Sequence, residues 1–113
     1  MSGKQNRKLI VEWAPFTLAD GVDEAALLAA SAALQTEFVN KQSGFIRRDL
    51  VNLKENQWAD IVYWNSLEEA EQAARNAANS PVCFRYFQLM VNEDPNDPSA
   101  GVAHFGVMQT YHS

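Results

Sequence analysis

Apolar residues along this chain keep changing period, and the changes divide it into elements. In KLIVEWAPF, residues 8 to 16, β-branched and aromatic residues predict a first strand ended by Pro15. Leu9, Val11 and Trp13 share one of its faces; Ile10, Glu12 and Ala14 share the other. Leu27, Ala30, Leu34 and Phe38 then recur at helical spacing. This predicts a helix over about residues 23–41, capped by Asp23, favoured by Glu24 at its positive end and stopped near Gly44.

Period two returns in GFIRRDLVNL, residues 44 to 53, the second strand. Strict alternation groups Phe45, Arg47, Asp49 and Val51 on one face, with Ile46, Arg48 and Leu50 on the other. KENQ is a polar hairpin turn before a third strand from Trp58 to Trp64. There Trp58, Asp60, Val62 and Trp64 point one way, and Ala59, Ile61 and Tyr63 the other. Ser66 to Glu69 reads as a capping box opening a second long helix. Its expected inward stripe is Leu67, Ala70, Ala74 and Ala77, with Glu71 and Arg75 paired outside. Ser80 and Pro81 start another helical segment, with an apolar face of Cys83, Phe84, Phe87, Met90 and Val91. NEDPNDPSAG is a loop, and VAHFGVMQTYHS a fourth strand.

The order β-α-β-β-α-(α)-β predicts an α+β chain of ferredoxin-like, split-βαβ type. Right-handed crossovers put strands one and three in the middle of a four-stranded antiparallel sheet, with the helices on one face. The other face would then carry Leu9, Val11, Trp13, Ile61, Tyr63 and part of strand four, too much apolar surface to leave in water. A second copy of the sheet is the simplest cover, so a sheet-to-sheet homodimer is expected.

At 113 residues, 47% of them apolar and 20% charged, the chain reads as one globular domain over residues 1–113. Residues 1–7 are expected to be a flexible end. A net charge of −5 with scattered basic residues argues against nucleic acid and anionic membranes as partners. No apolar run suggests a membrane span or a secretion signal, so a cytoplasmic protein is expected. One cysteine and two histidines offer no metal-ligand spacing, and there is no Gly-rich phosphate loop.

The stretch SGFIRRDL, a hairpin, then WADIVYWNSLEEAEQAARNAANSPVCFRYF resembles the dimeric α+β barrel proteins, and more narrowly the antibiotic biosynthesis monooxygenase-like domains. The resemblance spans about residues 8 to 112. It implies a cleft between sheet and helices with Trp64 in its wall, alongside Trp58, Asp60 and Val62 and, from strand one, Ile10, Glu12 and Ala14. It further implies oxygenation of electron-rich aromatic substrates without a cofactor. The haem-degrading branch uses an Asn–Trp–His trio. Only the tryptophan is kept here, since the other two positions fall on Ala14 and near Phe87. Without an axial ligand haem is not expected.

The candidate catalytic residues are Trp64, Glu12, Tyr86 and His104; the candidate substrate-binding residues are Trp58, Asp60, Arg48, Phe38 and Phe87. Each has a plainer role beside it. The tryptophans can be core, and Glu12 and Asp60 can be paired with Arg48 or another cation. His104 can be hydrogen-bonded or on the surface, Tyr86 can be solvent-exposed, and Cys83 reads as an inert buried thiol. Two functions follow. One is a homodimeric enzyme that oxidises a small aromatic metabolite without metal or flavin. The other is a non-enzymatic dimeric ligand-binding or stress-associated protein whose tryptophans are structural.

Overall fold

The computed structural model describes residues 8–91 and 101–113. The expected flexible end at residues 1–7 and the body of the predicted loop, residues 92–100, lie outside them. The chain runs β1 (Ile10–Thr17), α1 (Glu24–Glu37), a 3-10 turn (Val39–Lys41), β2 (Phe45–Lys54), β3 (Gln57–Trp64), α2 (Leu67–Ala77), α3 (Pro81–Phe87) and β4 (Ala103–Gly106). The four strands form one antiparallel sheet in the order β2-β3-β1-β4. That is the ferredoxin-like arrangement the element order predicts, with β1 and β3 central.

Local chemistry sets the boundaries. Asp23 Oδ1 accepts from the Ala26 amide at 2.8 Å and caps α1. Ser66 Oγ accepts from the Glu69 amide at 3.1 Å, and Ser80 Oγ from the Cys83 amide at 3.3 Å. The Glu69 carboxylate completes no box with the Ser66 amide. It accepts instead from the hydroxyls of Ser66 and Ser43, at 3.1 and 3.0 Å. Gly44 lies directly under it at φ +82°. A Cβ there would collide with the Glu69 side chain, so only glycine lets β2 begin this close to α2.

Several expectations change. β1 continues through Pro15 to Thr17. β4 reaches only as far as Trp13, so among the described residues Pro15 has only β3 paired beside it, the edge setting in which proline is tolerated. β4 is four residues long, not the whole C-terminal run. Its last pair is Gly106 with Ile10, the first residue of β1; Val107 still donates to the Leu9 carbonyl at 2.8 Å, and beyond that no strand pairs with it among the described residues. A bulge between Phe45 and Arg47 turns Phe45 to the side of Arg48 and Leu50. The inward stripe of α2 is Ala70, Ala73 and Ala77, while Leu67 and Ala74 are exposed. Arg75 bonds Gln72, one position away from the expected Glu71. On α3 the buried residues are Val82, Cys83 and Tyr86, and Phe84 and Phe87 face outward.

Two cores result, both on the helix side of the sheet. The larger packs Leu27 and Leu34 of α1 and Val82, Cys83 and Tyr86 of α3 on Trp58, with Phe16, Phe38 and Leu50 at its margin. The smaller packs Ala70 and Ala73 of α2 on Val62 and Trp64, with Ile10 and Phe45 beside them. The opposite face carries Val11, Trp13, Val51, Ile61 and Tyr63, all half-buried, and Phe105, which is 54% exposed.

Candidate functional site

Register decides which polar side chains meet. Paired residues in an antiparallel sheet project to the same face. Val62 pairs with Arg48 on one side and Glu12 on the other, and Glu12 pairs with His104. The row across the helix side is therefore Arg48, Val62, Glu12, His104. Val62 is buried and keeps Arg48 and Glu12 apart, so the expected Arg48–Glu12 pair does not form. Each charge turns instead to a diagonal neighbour on β3: Arg48 to Asp60 and Glu12 to Trp64.

The first cluster is closed. Arg48 Nε donates to Asp60 Oδ1 at 2.9 Å. Its Nη1 donates to the Ser31 carbonyl and to Gln35 Oε1, at 3.3 and 3.2 Å. Its Nη2 donates to Ser31 Oγ and Tyr86 Oη, at 2.8 and 3.2 Å. A guanidinium has five N–H groups, and all five are used. Tyr86 in turn donates to Asp60 Oδ2 at 2.8 Å. The Arg48 side chain is 6% exposed. Burial raises the Asp60 carboxyl above its ordinary value, against the pull of the Arg48 charge and the Tyr86 hydroxyl. Burial, and then the Asp60 charge, raise the Tyr86 phenol. Cys83 beside them is a buried free thiol whose pKa burial also raises.

The second cluster is half-open. Trp64 Nε1 donates to Glu12 Oε1 at 3.2 Å, and His104 Nε2 lies 3.1 Å from the same oxygen. A carboxylate only accepts, so this contact selects the imidazole form that carries hydrogen on Nε2. The Glu12 and His104 side chains keep 20% and 23% of their exposure, whereas Trp64 keeps 4%. The indole ring is covered by Phe45, edge-on at 6.0 Å between centroids, and by Ala70 and Ala73. Its face is not offered to solvent; only its N–H is used, and that points at Glu12.

Of the candidate residues, Glu12, Trp64 and His104 meet in this trio, and Arg48, Asp60 and Tyr86 in the closed network. Trp58 is buried in the larger core, its indole N–H without a partner among the described residues. Phe38 ends α1 at the margin of that core. Phe87 is largely exposed, its ring tilted on Tyr86 at 6.2 Å. Ser31 and Gln35 were not among the candidates. Ser31 had a signal: it is a polar residue inside the apolar stripe of α1, between Leu27 and Leu34. A cavity of about 450 Å³ lies elsewhere, lined by polar residues from Lys41 to Ser43 and by one side of α2; it shares only Ala73 with the packing around Trp64. Among the described residues there is no group of three or more His, Cys, Asp or Glu placed to hold a metal, and no helix is long and apolar enough to cross a membrane.

No family model and no curated protein matches the chain. Solved structures do. SnoaB of Streptomyces nogalater, a cofactor-independent oxygenase, is 20% identical, with a TM-score of 0.69 over 91% of this chain and 96% of that one. A candidate antibiotic biosynthesis monooxygenase of Bordetella bronchiseptica is 16% identical, with a TM-score of 0.66 over 92% and 99%. A conserved protein of Methanosarcina mazei Go1 is 14% identical, with a TM-score of 0.63 over 90% and 95%. The chain thus has the α+β fold of the antibiotic biosynthesis monooxygenase-like structures, as its sequence resemblance implies.

Proposed function

We propose that this protein is a cofactor-independent monooxygenase that takes a small hydrophobic aromatic molecule between sheet and helices, beside Glu12 and His104. The observation that carries the reading is the half-open Glu12 carboxylate, held on one oxygen and set against apolar packing. The fold shared with SnoaB supports it. Glu12, with His104 behind it, removes a proton from the substrate. The resulting electron-rich anion reduces dioxygen itself. One oxygen atom stays on the substrate, and the other leaves as water with two substrate hydrogens, so no outside reductant is needed. Tyr86, Asp60 and Arg48 support the floor of the site. Oxygen uptake with electron-rich phenols tests this reading, with Glu12→Gln expected to slow it by about 10²–10⁴. Uptake no faster than without protein would overturn it. The non-enzymatic reading would then take its place, favoured by the covered ring of Trp64.

The working unit is a homodimer in the cytoplasm, formed by the sheet face that carries Trp13, Ile61, Tyr63 and Phe105. What supports this is the apolar character of that face and the absence of any described helix over it. A stable interface needs roughly 800 Å² per partner, which a four-stranded sheet face can supply. Tyr63→Asp should give monomers or unfolded chain by sedimentation. A wild-type monomer at micromolar concentration contradicts the dimer.

A further inference from the structure

Both hydrogen bonds to Glu12 end on Oε1. Oε2 has no partner among the described residues, and the Glu12 side chain stays partly exposed, as that of His104 does, while Trp64 is buried. A carboxylate fixed through one oxygen presents the other in a defined direction. Arg48, on the same sheet face, is separated from Glu12 by Val62 and has no N–H to spare. Among the described residues, the open side of the trio is thus a negative acceptor without a guanidinium bonded to it.

We infer that Glu12 Oε2 is the specificity-determining atom of the site: it takes an aromatic ligand through an uncharged O–H or N–H donor and turns away aromatic anions. Trp64 and His104 are positioning residues, acting through Oε1 without touching the ligand. This rests on the ligand site proposed above and adds what that site selects. A neutral donor gains a charge-assisted hydrogen bond on Oε2. A carboxylate in the same place meets like charge in a partly desolvated setting. An isostere without a donor leaves the acceptor unpaired.

Equilibrium dialysis with three probes of one shape tests this: 4-nitrophenol, 4-nitrotoluene and 4-nitrobenzoate, at a pH where the phenol is neutral and the benzoate ionised. The phenol should bind at least about tenfold more tightly than either of the others. Glu12→Gln should narrow that gap to within about threefold, because an amide both donates and accepts. Trp64→Phe keeps an aromatic filler and should also narrow the gap, while leaving 4-nitrotoluene binding unchanged. A role in packing alone would move all three probes together. Equal binding of the three probes, or a gap that survives Glu12→Gln, overturns the assignment to Oε2 and leaves the ligand site standing. Binding of none of them removes both.

Discussion

Two polar clusters lie on the same face of one sheet, with Val62 between them, and they differ in what they leave unspent. Around Arg48 every guanidinium N–H has a partner, and both Asp60 oxygens accept. Around Glu12 one oxygen carries both contacts and the side chains stay partly exposed. The first has the character of a strut joining sheet, α1 and α3. The second is the cluster at which the ligand site is proposed. Buried charge alone does not mark function; what remains available beside it does.

The sharpest way to break this contrast is to empty each cluster in turn. Asp60→Ala leaves the Arg48 charge buried without its partner and should cost about 3–5 kcal/mol in denaturant unfolding. Replacing both members, Arg48→Met with Asp60→Leu, should cost less than Asp60→Ala, since no orphan charge remains. If the double variant were the worse of the two, the network would be more than a strut. Trp64→Phe should cost about 1–2 kcal/mol through the lost N–H donor and imperfect filling. Glu12→Gln should cost under about 1 kcal/mol, since the group is half-open, while removing the selectivity for neutral donors.

The smallest effect is in pH. Burial holds the folded Asp60 carboxyl above its ordinary value of 3.8. The folded state thus binds that proton more tightly than the unfolded chain does. The stability this group contributes is present below the unfolded value and falls as pH rises through the raised folded one. Asp60→Asn should flatten that part of the pH–stability curve. An unchanged slope would mean that other groups carry it.

Much of the fold was legible because periods and caps agree along the chain: Asp23, Ser66 and Ser80 all cap the helices they were expected to open. What escaped was set by neighbours distant in sequence. The bulge that brings Phe45 onto Trp64 is invisible to strict alternation. The inward side of α3 was misread because Phe84 and Phe87 are the more apolar residues, yet Tyr86 is the one whose hydroxyl finds a buried partner. The sheet faces of Glu12, Asp60 and Trp64 were readable from alternation. Which of them pair was not, since pairing depends on the register of β2 and β4, and on Val62 standing between Arg48 and Glu12.

The indole N–H signals of the tryptophans offer the most direct test of the central claim, that ligand binds beside Glu12 and not at the Arg48 network. In ¹H–¹⁵N spectra of the protein titrated with 4-nitrophenol, the Trp64 signal should move, because its N–H donates to the carboxylate that takes the ligand. The Trp58 signal, buried in the larger core, should stay. Movement of Trp58 with Trp64 unchanged would place the ligand against the larger core and contradict the account.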